Sequence, residues 1–126
     1  MSYAFKNCCS LTELKGISEW KTGEVTSFRN MFDNCKSLVN LPNLSGWNTL
    51  KAREMNYMFS NCTKLKSIDG ISKWELKNVI SMNNMFENCS SLNSLSDNPD
   101  NKPNWNIDKN LDKSFIFKGC DLLKEN

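Results

Sequence analysis

The sequence predicts an α/β solenoid of about four coils, each about 27 residues long with one short strand and one short helix. Three observations predict this fold class. The pattern Phe-x-x-Cys-x-x-Leu occurs five times, with successive phenylalanines 27, 27, 27 and 31 residues apart. The four tryptophans recur at intervals of 27, 27 and 31 residues. Within each repeat, a helix-like apolar spacing precedes a short extended segment.

The repeated positions are predicted to form core columns, because each coil can bury its apolar side chains only against its neighbours. The structural core is therefore expected at Phe5, Cys8, Leu11, Trp20, Phe32, Cys35, Leu38, Trp47, Phe59, Cys62, Leu65, Trp74, Phe86, Cys89, Leu92, Trp105, Phe117, Cys120 and Leu123.

The helix is predicted just before each cysteine. Apolar residues there fall on one helical face at offsets 0, 3, 6, 7 and 10, as in Val79, Met82, Met85, Phe86 and Cys89. An asparagine, or Gly119 in the last repeat, stands before each cysteine and is expected to take the left-handed conformation that ends a helix. The strand should follow, and Pro42 should make it short or irregular in the second coil.

The chain is predicted to be one solenoid domain, 1–126, because its length supplies one moderate core. The last repeat is four residues longer than the others. Its excess lies in a stretch rich in Pro, Asn and Asp, which predicts an inserted surface loop at about 96–104.

Composition argues against several functional classes. The 16 basic and 14 acidic residues leave a formal charge of +2, too small to indicate a nucleic-acid surface. No stretch approaches the roughly 18 consecutive apolar residues of a membrane span. The N-terminal residues lack a basic region followed by an apolar run, so no signal peptide is expected in this chain. Histidine is absent, and we expect no catalytic residue, no metal site and no cofactor.

The in-register cysteines are interpreted as reduced core residues. They stand at least 27 residues apart, whereas zinc ligands within a knuckle are typically about two to four apart. A disulfide ladder is the alternative, and it would require Cα atoms within about 7 Å. Cys9 lies outside the register and is expected to be the exposed thiol.

The tryptophan column has two interpretations. A large aromatic side chain repeated at one solenoid position typically fills the core between layers. The alternative is a platform on which sugars or bases stack, and accessible indoles would favour it.

A partner-binding face is predicted where exposed strand residues alternate with the core columns. These residues differ from coil to coil while the core columns stay the same, although they could also be merely solvated. The face consists of Thr12, Glu13, Lys15, Asn40, Asn43, Lys66, Ser67, Asp69, Asn93, Ser94 and Ser96.

The segments "NMFDNCKSLVNL" and "MFENCSSLNSL" resemble the bacterial surface-protein repeat of about 26 residues (DUF285). That repeat is related to BspA-like leucine-rich repeats. The resemblance covers nearly the whole chain and implies a right-handed leucine-rich-repeat-like solenoid. It also implies adhesion or protein binding at a cell surface or in secreted form, without shared catalytic residues.

Two functions remain open at this point. The leading hypothesis is a non-enzymatic protein-interaction or adhesion module with a protein partner. The alternative is a structural spacer or assembly segment of a longer array, which could associate end to end. An enzyme is disfavoured, because the sequence has neither histidine nor a glycine-rich phosphate loop.

Overall fold

The computed structural model describes residues 1–95 and 105–123. Within these ranges, regular structure is limited to two short 3₁₀ helices, Ile17–Glu19 and Ile71–Lys73, each preceded by a left-handed glycine. The predicted inserted loop at 96–104 lies outside the described residues. No described helix has the length and apolar character required to cross a membrane.

The repeats stack in parallel through single β-bridges that recur along two lines. One line joins Ser27 to Glu54, Glu54 to Ser81, and Ser81 to Asp112. The other joins residue 13 to residue 40 and residue 67 to residue 94. Bridged residues are 27 apart except for the last pair, which is 31 apart, so the stacking has the same period as the sequence pattern.

The prediction of one helix per repeat is wrong within the described residues, where each such segment is a run of turns. The Phe32 amide donates a hydrogen bond to the Met58 carbonyl of the next repeat at 2.8 Å, whereas an α-helical amide would donate four residues back. The Met31 amide donates three residues back, to the Phe28 carbonyl at 3.2 Å. Along this segment, amides that donate to the neighbouring repeat therefore alternate with amides that donate within a local turn.

Left-handed residues explain why these turns do not continue as a helix. The residue before each in-register cysteine is left-handed as expected, with φ of 65° at Asn34 and 80° at Gly119. A second left-handed position lies four residues earlier in each repeat and was missed by sequence reasoning. Its members are Tyr3, Asn30, Tyr57, Asn84 and Phe115, with φ of 55° to 64°. Two left-handed residues four apart interrupt any right-handed helix.

The predicted strand in each repeat is also not formed as a regular element within the described residues. A turn closed by the Leu38 amide and the Cys35 carbonyl, 3.2 Å apart, stands directly before the bridge at Asn40. Pro42 follows and has no amide hydrogen to extend the pairing. In this coil the extended backbone is therefore too short for more than one bridge.

The core consists of aromatic columns that run through the stack. Ring centroids of successive phenylalanines, from Phe5 to Phe117, lie 5.2 to 5.6 Å apart and the rings are within 8° of parallel. Trp47 and Trp74 stack at 6.0 Å and are 3% and 4% exposed. Every ring between two neighbours is therefore covered on both faces, which removes its apolar surface from water.

Trp20 departs from its predicted place in the core, since it is 36% exposed. Within the described residues no repeat precedes it to cover its outer side. Other predicted core residues near the ends of the columns are also only half-buried: Phe5, Cys8, Leu11, Trp105 and Phe117.

We predict that Gly70→Ala lowers the free energy of unfolding by about 3 kcal/mol, whereas Gly16→Ala lowers it by about 1 kcal/mol. Both glycines are left-handed, with φ of 91° and 85°. A Cβ at Gly70 would overlap the Asn43 side-chain oxygen and the Ser45 amide, while a Cβ at Gly16 would meet no atom within 4 Å. Urea unfolding of both variants measures the difference. Equal losses would show that the close approach at Gly70 relaxes without cost.

Candidate functional site

One surface of the stack is built on a ladder of main-chain hydrogen bonds across the repeats. The Val39 amide donates to the Thr12 carbonyl at 3.0 Å, the Lys66 amide to the Val39 carbonyl at 3.4 Å, and the Asn93 amide to the Lys66 carbonyl at 3.0 Å. These bonds align equivalent residues of successive repeats. Their side chains therefore project from one continuous surface.

The residues predicted to bind a partner lie along this ladder, and we call them the ladder face: Thr12, Glu13, Lys15, Asn40, Asn43, Lys66, Ser67, Asp69, Asn93 and Ser94. All are exposed except Ser67 and Ser94, which are half-buried. Ser96 lies outside the described residues. The Lys15 and Glu13 side chains approach to 3.7 Å, and both are exposed, so this ion pair adds little stability.

A shallow hollow of about 330 Å³ opens on the ladder face. Glu13 and Lys15 of one repeat and Asn40 and Pro42 of the next repeat are part of its lining. The backbone of Gly16 and the half-buried Leu14 and Leu41 are also part of its lining. The hollow combines an apolar surface with a charged rim, which suits a side chain of another protein.

A second hollow, of about 310 Å³, lies on the turn segments and was missed by sequence reasoning. The Arg29 guanidinium lies 5.5 Å from the ring centre of Tyr3 and 3.9 Å from the Glu54 carboxylate. Asp33 and Glu87 contribute negative charge to the same hollow. Asp33 and Glu87 occupy equivalent positions two repeats apart, and the sequence alone shows this recurrence. The predicted helix did not indicate that the two side chains line the same hollow.

A third and larger depression, of about 620 Å³, surrounds Trp20. In the other repeats, the indole N–H donates to a carbonyl in a preceding repeat. Trp47 donates to Ile17 at 2.7 Å, Trp74 to Leu44 at 3.0 Å, and Trp105 to Ile71 at 2.8 Å. The Trp20 indole N–H makes no hydrogen bond to any described residue.

The cysteines form a ladder of thiol hydrogen bonds. Four in-register thiols donate to a phenylalanine carbonyl of a preceding repeat at 2.8 to 3.2 Å: Cys35 to Phe5, Cys62 to Phe32, Cys89 to Phe59 and Cys120 to Phe86. All six cysteines are free, and Cys9 is exposed. Burial raises the pKa of the Cys35 thiol to about 11 and raises the pKa of the Cys62 thiol further. The thiols of Cys35 and Cys62 are therefore protonated at neutral pH and are weak nucleophiles.

The described residues contain no group of three or more Cys, Asp or Glu side chains placed to hold a metal ion. The sequence contains no histidine that could add to such a group. The described surface offers grooves lined by side-chain hydrogen-bonding groups.

Comparison with known proteins identifies the repeats. The model of a family described as "Mycoplasma protein of unknown function, DUF285" matches residues 1–126, which confirms the resemblance seen in the Phe-x-x-Cys-x-x-Leu segments. A leucine-rich repeat protein from Bacteroides ovatus ATCC 8483 is similar in structure, with 16% sequence identity and a TM-score of 0.46. That similarity covers 98% of this chain and 39% of the other chain. No curated protein matches the chain.

We predict that alkaline pH destabilises the protein through its buried thiols. The pKa of Cys35 is about 11 in the folded protein against an ordinary value of 9.0, so the unfolded chain loses this proton first. The thiol's contribution to stability is complete below pH 9.0 and disappears as pH rises through about 11. Urea unfolding at a series of pH values across this window measures the decline.

Cys35→Ser should make this decline shallower, because a serine hydroxyl can still donate to the Phe5 carbonyl but does not ionise in the window. Cys9→Ser is the matched control, since Cys9 is exposed and is only a minor cause of the raised Cys35 pKa, and it should change the slope less than Cys35→Ser does. A Cys35→Ser slope identical to that of the unmodified chain would contradict the assignment of the decline to this thiol.

Proposed function

This chain belongs to the DUF285 family, and we propose that it is a non-enzymatic protein-interaction module whose ladder face binds a protein partner. The observation that carries the proposal is the contrast along the ladder. Thr12, Val39, Lys66 and Asn93 are joined by equivalent main-chain bonds yet differ in size, charge and polarity. A constant backbone with variable side chains allows a repeat protein to recognise one partner among many.

The hollow on the ladder face supports this proposal. Leu14 and Leu41 supply apolar surface, and the exposed charges of Glu13 and Lys15 lie beside them. Protein interfaces typically combine an apolar centre with a polar rim. An apolar side chain of the partner would enter this hollow, and the charged rim would orient it.

The handedness of the solenoid and its number of coils are part of the same proposal. We infer a right-handed solenoid of about four coils, because crossover connections between parallel segments are overwhelmingly right-handed. Parallel bridges between repeats 27 residues apart support this geometry. An adhesive role at a cell surface is consistent with it.

The absence of enzymatic activity is inferred from the residues. The chain has no histidine to act as a general base. Cys35, Cys62 and Cys89 are buried, and the pKa of each thiol is raised above its ordinary value. Thiols held in this form are poor nucleophiles.

A second candidate function is a structural segment that assembles with further copies of the chain. The exposed Trp20 and half-buried Phe5 favour it, since another repeat could continue both aromatic columns. Light scattering over a concentration series tests it. A mass that climbs with concentration supports assembly, and a constant monomer mass supports the interaction module.

We predict that Lys66→Glu weakens partner binding about tenfold, which corresponds to about 1.4 kcal/mol. Lys66 is exposed at the centre of the ladder face, so charge reversal there would disturb a bound partner without disturbing the core. A photo-crosslinking amino acid at Asn40 would capture the partner from an extract of the source organism. Calorimetry with the purified partner would then measure the affinity.

Lys77→Glu is the matched control, because Lys77 is an exposed lysine outside the ladder face. It makes the same change in net charge and should leave the affinity unchanged. Equal weakening by the two variants would indicate a general effect of charge. A partner that crosslinks from Lys77 but not from Asn40 would contradict the ladder face as its site.

A further inference from the structure

We propose that the depression around Trp20, which we call the Trp20 groove, binds a neutral saccharide whose ring stacks on the exposed indole. Its volume of about 620 Å³ lies within the range of about 300–1,000 Å³ typical of small-molecule sites. The groove lies at the first corner of the stack. Asn43 is the residue that it shares with the ladder face.

The first step of the argument is the platform. Trp20 stacks on Trp47 with ring centroids 6.4 Å apart and the rings within 4° of parallel. Phe5 lies against the same indole at 5.8 Å. These contacts hold the ring in one orientation, yet Trp20 is 36% exposed whereas Trp47 is 3% exposed. The exposed part of this fixed indole provides apolar surface against which the C–H face of a sugar ring can pack.

The second step is the hydrogen-bonding capacity of that indole. Its counterparts in Trp47, Trp74 and Trp105 all donate to main-chain carbonyls, so the geometry of the column favours an acceptor beside each indole nitrogen. Trp20 has no such acceptor among the described residues. A sugar hydroxyl or ring oxygen at the edge of the platform would supply it.

The third step is the polar lining. The side-chain oxygen of Asn43 accepts from the Ser45 amide at 2.8 Å, and that of Asn48 accepts from the Leu50 amide at 3.0 Å. These bonds orient both amide groups and leave both Nδ2 groups without a hydrogen bond to any described residue. Gly23 leaves room for the Asn48 amide group, because a Cβ at residue 23 would lie only 3.2 Å from the Asn48 Nδ2. Two oriented donors beside an aromatic ring match the hydroxyl groups around a sugar.

The composition of the lining selects the ligand class. Apart from Trp20, every lining residue is polar or glycine, so the groove lacks the further apolar contacts that would bury hydrophobic peptide side chains. Glu19 and Lys21 contribute one charge of each sign, and their sum favours neither an anionic nor a cationic ligand. A neutral saccharide combines one apolar face with a polar rim and satisfies both conditions.

The test uses ¹⁵N-labelled protein and its indole N–H resonances. Neutral trisaccharides of glucose, mannose, galactose, xylose and N-acetylglucosamine are each added at about 10 mM, a concentration that would occupy about nine-tenths of sites with a Kd of about 1 mM. We expect at least one trisaccharide to shift the Trp20 indole resonance and the Asn43 and Asn48 side-chain amide resonances saturably. The buried Trp47 indole resonance should move little.

Variants sharpen the test. Trp20→Phe keeps a ring in the column but removes the indole N–H and part of the platform, and it should raise the Kd at least tenfold. Trp105→Phe is the matched control, because the Trp105 N–H is already bonded to Ile71. It should leave the Kd unchanged. If Trp20→Phe fails to fold, the resonance shifts of the unmodified chain still decide the outcome.

Three outcomes would overturn the proposal. One is that no trisaccharide shifts the Trp20 resonance. Another is that the resonance shifts with protein concentration alone, which would mean that a second copy covers the groove. The third is that the blocked peptide Gly-Ile-Ser-Glu, which reproduces the residues around the Ile17 acceptor carbonyl, shifts the Trp20 resonance while the sugars do not.

Discussion

Hydrogen bonding between successive repeats is the constraint on which the rest of this structure depends. In the turn segments, alternate amides donate forward along the chain, as Phe32 does to Met58 of the next repeat. Along the ladder, amides donate backward, as Val39 does to Thr12. Since buried backbone groups must find partners, the two directions of donation hold each inner repeat against both neighbours. The arrangement needs neither long helices nor long strands.

The buried indole and thiol donors follow the direction of the ladder bonds. The thiol of Cys62 and the indole N–H of Trp47 both donate to carbonyls of a preceding repeat. Cysteine and tryptophan therefore act both as packing residues and as hydrogen-bond donors. This double role accounts for the repetition of these two residue types, because another apolar residue would fill the space but leave the carbonyl without that donor.

The same constraint explains where surface chemistry is concentrated. Within the stack, each indole N–H is used by the fold, and the ring is covered. Trp20 lines its groove and is 36% exposed, and its indole N–H makes no hydrogen bond to any described residue. The ladder face arises differently, since equivalent main-chain bonds join its successive repeats while its side chains vary. The two proposed binding surfaces share Asn43 among their described residues.

The sequence by itself determined the period, the columns and the family, because apolar residues that must pack on their equivalents recur at a fixed interval. It also indicated left-handed residues such as Asn34 and the ladder along which residues such as Lys66 lie. Only the tertiary structure decided that segments whose apolar residues have helical spacing form turns. Side chains three or four residues apart share a face in both geometries, and only bonds to the next repeat distinguish them. Stacking also decided that Trp47 is buried and Trp20 exposed, although their local sequence patterns predict the same role. Burial in a repeat protein depends on having neighbours on both sides.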